Sequence, residues 1–436
     1  MKHKHGLSLI TAGAALAVAS VAAQASGAAP PAYVVYDTGT LGGTFAFGSG
    51  VNELGWISGA ATDAGGALHA ALWGPGSVTD LGTLGGTNSA VEWPVKNNHG
   101  LVVGISETAT PDPLGESFSC AAFIATHGHT CLPFLWQNGA LSALPLLGGN
   151  NGFATAINNG GLAVGWAETA VHDTTCVAPQ QLQFEAVQWG PGANQKRILA
   201  PLPNDSSSAA TAINDAGEAV GISGDCDVAV GAFSARHAVL WLNGRPLKLP
   251  TLGGQGWNTP MAISNSGIIV GFSDTPGDVV GGVLTPNFQA ALWTPGGVVN
   301  LHALPGDATA EATGVNDFGQ IVGTSFDASG AARVFLWQNG RLYDLNTLVQ
   351  EDAPLYLLAT GDINDRGEIT GLGCVTVAGT CGAVHTFVAI LAPGGATHAA
   401  LAGAALARPY VPEDTRRALQ RQRRFGAAHV ERMSAQ

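Results

Sequence analysis

The stretch "LGTLGGTNSA" (81–90) repeats a motif that stands 43 residues earlier in "TGTLGGTFAF" (38–47). Degenerate copies follow along the chain, and each keeps a leucine at the same place. These leucines are Leu41, Leu84, Leu147, Leu202, Leu252, Leu304 and Leu348, with spacings from 43 to 63 residues. A unit of this length repeated along a chain is typical of solenoids and β-propellers.

Every unit also carries a turn that opens with Asn or Ser and closes with Gly, as in "NNHG" (97–100). This pattern predicts a hairpin turn whose Gly adopts a left-handed conformation. A second Gly follows four residues later within β-forming residues, as in "LVVG" (101–104). We expect this second Gly to let a neighbouring sheet approach closely.

The third mark of the unit is a strand that ends in Trp, as in "HAALW" (69–73). The repeated positions are Trp73, Trp136, Trp189, Trp241, Trp293 and Trp337, with Ala389 at this place in the seventh unit. Trp at one repeated position indicates a core residue rather than a sugar-binding residue. A short turn and a fourth strand follow, so that each unit contains four strands.

Four-stranded units at this period predict an all-β protein, a seven-bladed β-propeller of four-stranded blades. The seventh unit has only three strands before "LAPGG" (391–395), whereas "YVVYDTGTLGG" (33–43) aligns with a fourth strand. We therefore expect the N-terminal strand to complete the last blade and close the ring. Closure removes the exposed edges that a flat solenoid, the alternative architecture, would leave.

The units resemble those of the HAF-repeat family of extracellular repeat proteins, which share "LGTLGG", "INxxGxxVG" and "HAFLW" motifs. The resemblance covers about residues 32–392. No unit spells His-Ala-Phe in full, and the nearest stretches are "HAA" (69–71), "HAV" (237–239) and "HTF" (385–387). The resemblance implies an exported, propeller-like protein and brings no catalytic residues with it.

Residues 1–25 have the features of a secretory signal peptide, with Lys2 and Lys4 before an Ala-rich apolar run and an Ala23-Gln24-Ala25 cleavage site. A membrane anchor is the alternative for this segment. We expect the propeller to occupy 26–395 and a basic tail, disordered or partly helical, to occupy 396–436. The protein is then secreted or periplasmic, and no later run is long and apolar enough to be transmembrane.

The charge is unevenly distributed along the chain. Residues 26–399 contain 28 acidic and nine basic residues, a net charge of −19, whereas 400–436 hold seven Arg and three acidic residues. An acidic body of this kind repels nucleic acid, so we expect no nucleic-acid partner. The tail is either a basic arm for anionic lipids or for the acidic body, or a frayed terminus without a role. We expect a monomer whose fold survives removal of 400–436.

The six cysteines all lie in one type of segment, between the second Gly and the Trp position, and none forms a C-x-x-C motif. An even number of cysteines in an exported chain favours disulfides over metal or redox chemistry. Six cysteines allow fifteen pairings. We favour Cys120–Cys131 and Cys374–Cys381 within loops, and Cys176–Cys226 between adjacent units.

The same type of segment varies in length and emerges on one face of the predicted disk, where binding loops are commonly mounted. It carries the acidic residues that we take as candidate binding-face residues. These are Glu107, Glu168, Asp225, Asp227, Asp274, Asp278 and Asp327. A ring of carboxylates suits Ca²⁺ or a cationic partner. The alternative is that these are solvated loop charges, and we expect no other cofactor.

No catalytic motif is present, because the chain lacks a G-x-S-x-G elbow and its His residues change place from unit to unit. We therefore expect a binding scaffold for an extracellular protein or glycan rather than an enzyme. The alternative is a carboxylate-based glycan hydrolase or lyase with its site at the central channel, because such carboxylate pairs need proximity only in space.

Overall fold

The computed structural model describes residues 30–393 and 408–416, except for 117, 125–126, 193, 230–232, 281–282, 286 and 414. The predicted signal peptide and most of the predicted basic tail lie outside the described residues. Within them the chain is all-β apart from short helical turns, of which α1 (Phe118–Phe123) is one.

Thirty strands follow one another in the described part of the chain. They are β1 (Tyr33–Gly39), β2 (Gly42–Val51), β3 (Ile57–Asp63), β4 (Leu68–Gly74), β5 (Ser77–Asp80), β6 (Gly85–Ala90), β7 (Val102–Pro111), β8 (His129–Gln137), β9 (Ala140–Ala143), β10 (Gly148–Ile157), β11 (Ala163–His172), β12 (Leu182–Trp189), β13 (Lys196–Leu199), β14 (Ser207–Ile213), β15 (Ala219–Gly224), β16 (His237–Leu242), β17 (Arg245–Lys248), β18 (Asn258–Ile263), β19 (Ile269–Asp274), β20 (Val279–Val280), β21 (Val283–Leu284), β22 (Phe288–Thr294), β23 (Gly297–Asn300), β24 (Thr309–Val315), β25 (Ile321–Phe326), β26 (Ala332–Gln338), β27 (Arg341–Asp344), β28 (Tyr356–Ile363), β29 (Ile369–Val377) and β30 (Thr380–Leu391).

The strands, apart from the short pair β20 and β21, form antiparallel groups of four. The groups are numbered here in chain order, from the first (β2-β3-β4-β5) to the seventh (β28-β29-β30-β1). Five groups are separate sheets, in the orders β6-β7-β8-β9, β10-β11-β12-β13, β14-β15-β16-β17, β18-β19-β22-β23 and β24-β25-β26-β27. The groups β2-β3-β4-β5 and β28-β29-β30-β1 share one larger sheet, because Phe45 and Val384 form a single parallel pair between them. The prediction of an all-β chain built from four-stranded units is confirmed.

The N-terminal strand lies beside the last strand of the chain. β1 pairs antiparallel with β30, from Tyr33 opposite Leu391 to Gly39 opposite Thr386. Tyr33 and Val35 are buried in a core cluster of the last group. The first strand therefore supplies the fourth strand of that group, as the alignment of the two chain ends predicts.

Hydrogen bonds from the repeated Asn link each turn to the next. Asn97 Oδ1 accepts from the N–H groups of His99 and Leu101 at 2.8 and 3.0 Å, and Asn97 Nδ2 donates to Asn158 O at 2.8 Å. The same side-chain-to-carbonyl step runs from Asn52 to Asn97, Asn158 to Asn214, Asn214 to Ser264, Asn316 to Asn364, and Asn364 to Asn52. Asn is thus required both to form its own turn and to bind the following one.

The closing Gly of each turn has a φ between +76° and +81°, as the sequence predicts. The second Gly has a different role from the expected one. A Cβ on Gly165 would lie 1.9 Å from Phe153 O, which belongs to β10 of the same sheet. The close neighbour is therefore a bulged strand of its own group, where the register shifts at Ala154, and not a neighbouring sheet.

The repeated Trp residues contribute to the core. Trp136 and Trp337 are half-buried and pack against core clusters, whereas Trp73, Trp189, Trp241 and Trp293 are buried. The indole N–H groups of the last three donate to carbonyl oxygens of the connection that precedes their group, at 2.7 to 2.9 Å. Each of these Trp residues therefore fastens a third strand to the end of the preceding unit.

The first position of the HAF-like stretch pairs with an acid on the neighbouring fourth strand. His69 Nδ1 lies 2.8 Å from Asp80 Oδ2, and His385 Nδ1 lies 2.8 Å from Asp37 Oδ2. This cross-strand contact accounts for the joint presence of His and Asp in these units.

Candidate binding site on the insert face

The segments that join the second and third strands of each group are here called inserts, and the end of the molecule where they lie is the insert face. The longest are 112–128, 173–181, 225–236 and 275–287. Neighbouring inserts bind one another. Glu116 Oε1 accepts from the N–H groups of Gln181 and Leu182, both at 2.7 Å, and Val177 N donates to Asp227 O at 2.8 Å.

Three disulfides hold the inserts. They are Cys120–Cys131 within the second group, Cys176–Cys226 between the third and fourth groups, and Cys374–Cys381 at the β29–β30 hairpin. These are the pairs favoured from the sequence. These covalent bonds restrict the conformations of the inserts.

The longest insert packs inward. Phe123 of α1 lies 5.2 Å, between ring centroids, from Trp93, which in turn lies 5.4 Å from Phe153 and 5.7 Å from Trp166. These rings belong to one buried cluster that several groups share. The insert of the second group thus packs into this shared cluster, whereas the sequence analysis expected such segments to carry binding residues on one face.

Three of the candidate acids occupy the same place in their groups, three residues after the second Gly. Glu107, Glu168 and Asp274 are all buried. Glu168 Oε2 accepts from the N–H groups of Asn150 and Asn151 at 3.1 and 3.0 Å. A Cβ on Gly149 would lie 2.3 Å from Glu168 Cβ. The double glycine of the repeat therefore makes room for a side chain that binds the backbone of the corner.

Burial raises the pKa of Glu168 to about 7, and the nearby Glu116 carboxylate adds to this shift. Burial likewise raises the pKa of Asp274 to about 7, with a further contribution from the charge of Asp278. Burial opposes ionisation of Glu107 too, but hydrogen bonds from His127 and Thr87 hold its pKa below the ordinary value. These three carboxyl groups therefore bind backbone N–H groups close to where the inserts begin and are not exposed on the surface.

The remaining candidate acids are also engaged. Asp278 is buried and accepts from two backbone N–H groups at 2.6 and 2.8 Å. Asp225 pairs with Arg236 at 2.7 Å, Asp227 Oδ2 accepts from Phe233 N at 3.0 Å, and Asp327 pairs with Arg408 at 3.1 Å. No three His, Cys, Asp or Glu among the described residues are placed to hold a metal ion. Calcium binding stays a prediction.

An open-mouthed cavity with about 80 Å³ of solvent-accessible space lies among the sixth, seventh and first groups. Its polar lining includes the buried Glu311 and the hydroxyl-bearing Thr313, Thr324 and Thr360, and its apolar lining includes Phe47, Leu358 and Leu372. Sequence reasoning missed Glu311, because it lies in a first strand and not in a variable insert. The available signal was an acid within the small, apolar stretch "TAEATGV" (309–315).

Part of the predicted tail covers this cavity. Val411 and Arg416 line it from above. Tyr410 N donates to Gly379 O, and Cys381 N donates to Tyr410 O, both at 2.8 Å. The described residues of 408–416 are therefore bound to the insert face, and Glu413, Thr415 and Arg416 among them are helical, with Arg416 N donating to Pro412 O at 2.9 Å.

The opposite end of the molecule, here the turn face, is built differently. Lys96 Nζ lies 3.0 Å from Asp362 Oδ1 and donates to Val315 O and Ile363 O at 2.8 and 3.1 Å. The second residue of most turns accepts an N–H group from the turn before it, as Asp215 does from Asn159 and Asp365 does from Asp317. These oxygens hold the turns together.

Solved structures that resemble this chain are distant. A peptidase of Pyrococcus horikoshii that acts as an acylaminoacyl peptidase is 12% identical with a TM-score of 0.43, covering 78% of this chain, which spans 50% of that one. The β-propeller domain of the trilobed protease of Pyrococcus furiosus is 10% identical with a TM-score of 0.37, covering 67% of this chain and 78% of its own. A gluconolactonase of Xanthomonas campestris is 10% identical with a TM-score of 0.32, and the match covers 84% of this chain and 98% of that protein. No protein-family model and no curated protein matches the chain.

Proposed function

We propose that the mature chain is an exported, closed seven-bladed β-propeller that acts as a non-enzymatic binding scaffold through its insert face. The observation that carries this proposal is the difference between the two ends of the molecule. The insert face carries the disulfides and segments of unequal length beside its cavity, whereas the cavity of the turn face is lined by turns that repeat one compact geometry. Variable loops on a rigid scaffold are a common design for binding.

Two sets of contacts support a closed ring over 26–395. The Asn side-chain bonds proceed from one turn to the next and return from Asn364 to Asn52 O at 3.0 Å. Lys96, near the second group, reaches carbonyl oxygens of the sixth and seventh groups. Both are expected if the first and last units face each other around a common centre. β1 completes the last group in the same arrangement.

Export is supported by the signal-like residues 1–25 and by the disulfides, which persist in oxidising compartments. All six cysteines of the chain are paired. No helix of the described residues is long and apolar enough to cross a membrane. We propose that the protein is secreted or periplasmic and related to the HAF-repeat family, on the strength of the repeated motifs and their His–Asp contacts.

The alternative, a carboxylate-based glycan hydrolase or lyase, has less support. Glycosidases generally place two carboxyl groups on either side of the scissile bond. Glu311 is the carboxylate that lines the cavity from the described residues of the body. The two acids whose pKa values are raised to about 7, Glu168 and Asp274, are buried against backbone N–H groups and so face no substrate.

Apolar side chains exposed on the inserts indicate what kind of partner the face suits. Val177 is 52% and Phe233 39% exposed, and Arg236 lies 5.7 Å above the Phe233 ring. Exposed apolar groups beside charged ones are typical of protein or glycan contacts rather than of solvated loops. We therefore propose an extracellular protein or glycan as partner.

The test compares matched substitutions on the two faces. Phe233→Asp changes the insert face, and Phe318→Asp makes the same substitution on the turn face, where Phe318 is 74% exposed. The mature protein and both variants are used as bait against a glycan array and the secreted proteins of a native source. We expect Phe233→Asp to lose the captured partner and Phe318→Asp to keep it. Loss with Phe318→Asp alone would move the site to the turn face.

A further inference from the structure

The C-terminal segment, here residues 408–416, rests on the mouth of the cavity through few contacts. Its backbone adds to the β29–β30 hairpin through Tyr410, which bonds to Gly379 and Cys381. Pro409 is buried and Val411 packs against the central apolar cluster. A short extended segment held in this way resembles a peptide that adds to a sheet edge, where backbone bonds give affinity and side-chain pockets give specificity.

The two basic residues of the segment meet acidic positions of the body. Arg408 Nη1 lies 3.1 Å from Asp327 Oδ2, and Arg408 Nη2 donates to Ala332 O at 3.4 Å. Arg416 lines the same cavity as the buried Glu311. Glu413 and Asp414 balance these two arginines, so the segment carries no net charge, and its complementarity with the body is local, between Arg408 and Asp327.

The fit of this segment is incomplete. Arg416 Nη2 donates to Glu413 of its own segment at 2.8 Å. Arg416 Nε is buried without a hydrogen-bond partner among the described residues. A buried donor without a partner destabilises the arrangement that buries it. A peptide that satisfies this donor position, or that places its guanidinium differently, is therefore able to compete with the segment.

We propose that the cavity and its rim, formed by Glu311, Asp327 and the 378–381 turn, are a binding site for an arginine-bearing peptide. The chain's own residues 408–416 occupy this site in cis. The proposal rests on the proposed role of the insert face in binding and assigns it one ligand class. A partner peptide adds beside Gly379, places one arginine on Asp327 and a second in the cavity, and displaces the segment.

The experiment uses the chain truncated after residue 407, the full mature chain, and a fluorescent, amide-capped peptide of sequence 408–416. We expect the truncated chain to bind the peptide and the full chain to bind it about tenfold more weakly or worse, because a tethered segment competes at an effective concentration in the millimolar range. Binding should weaken with added salt, because it depends on charge.

Matched variants identify the residues. Glu311→Gln and Asp327→Asn in the truncated chain should each weaken peptide binding, and so should peptides with Gln in place of Arg408 or Arg416. Asp352→Asn, at an exposed acid, should leave binding unchanged. Equal binding by full and truncated chains, or no binding by a folded truncated chain, would overturn the proposal.

If the truncated chain does not fold, the full chain carrying Arg408→Gln and Val411→Asp replaces it. This variant should release the segment and gain peptide binding, and a folded variant that gains none would equally overturn the proposal. The test is separate from that of the proposed function. If Phe233→Asp loses the captured partner but keeps its affinity for the peptide, the partner site and the peptide site are distinct, and each proposal stands or fails by its own test.

Discussion

The two ends of the chain meet the same last strand group in different ways. β1 runs beside β30 over the length of the strand and buries Tyr33 and Val35 in the core. The C-terminal segment touches only the hairpin end of β29 and β30, with Tyr410 63% exposed. Burial and continuous pairing make the first end part of the fold. The second end is a bound ligand that happens to be covalently attached.

The largest effect that this comparison predicts is on folding. Deletion of 30–42 removes two buried aromatic or aliphatic side chains and a whole strand pairing. Each large buried side chain contributes about 2–5 kcal/mol, against a total stability of about 5–15 kcal/mol. We expect this variant to lose its cooperative thermal transition. Deletion of 408–436 should lower the melting temperature by only a few degrees, and equal melting by circular dichroism would contradict the comparison.

The disulfides separate stability from attachment of the C-terminal segment. Cys176 and Cys226 lie 50 residues apart, and Cys374 and Cys381 lie 7 apart. Chain entropy then predicts a loss of about 4 kcal/mol for the double alanine variant of the first pair and about 2.5 kcal/mol for that of the second. Only the second variant should loosen residues 408–416, since its hairpin binds Tyr410. Urea unfolding and limited proteolysis after Tyr410 measure the two effects, and faster cleavage in the first variant would refute this assignment.

The pH dependence of the free energy of unfolding should report on the buried acids where the inserts begin, and not on either chain end. The pKa values of Glu168 and Asp274 are raised to about 7, so the folded state holds protons that the unfolded state has released above its ordinary carboxyl pKa. For these two groups the free energy of unfolding therefore falls as pH rises from about 4.5 to about 7, by an amount on the order of 2 kcal/mol each.

Glu168→Gln and Asp274→Asn mimic the protonated side chains and should flatten this slope. Asp352→Asn is the control, because Asp352 is exposed. Urea denaturation at pH 5, 6, 7 and 8 gives the slopes. An unchanged slope in the double variant would show that these carboxyls do not titrate on unfolding in this range.

The smallest effect concerns the tyrosines of the two ends. Tyr33 Oη is buried without a hydrogen-bond partner among the described residues, whereas Tyr410 is exposed. Tyr33→Phe removes an unsatisfied polar group, which should stabilise the fold by about 1 kcal/mol. Tyr410→Phe should leave stability unchanged. A loss of stability in Tyr33→Phe, measured by urea unfolding, would reveal a partner for this hydroxyl.

The fold could be predicted from the repeated motifs because each motif reflects a local conformational constraint. A Gly with positive φ, an Asn that bonds its own turn and a Trp at a strand end are all recognisable within a few residues. The disulfide pairs followed from the same repeats, since they placed the cysteines in equivalent segments. Such features are predictable because their physical causes lie close together in sequence.

The site was less predictable because its causes lie far apart in sequence. Glu107 and Glu168 read as loop acids, but the backbone N–H groups they bind come from corners 17 to 20 residues away. The inward packing of α1 depends on Trp93 and Phe153, which belong to different groups. The docking of 408–416 depends on Pro409 and Val411 alone among its apolar residues, too few for a pattern to reveal.

One turn breaks the succession of asparagines, and it determines where the molecule should open first. Ser264 O accepts a hydrogen bond from Asn214 Nδ2 at 3.2 Å, but Ser264 has no side-chain amide to donate to the following turn. Ser266 Oγ donates to Asp317 O at 3.2 Å in its place. A hydroxyl bond on an exposed turn is a weaker link than a buried amide bond. Amide hydrogen exchange should therefore begin at the seam between residues 264 and 317, which would make this seam a defined point of mechanical weakness.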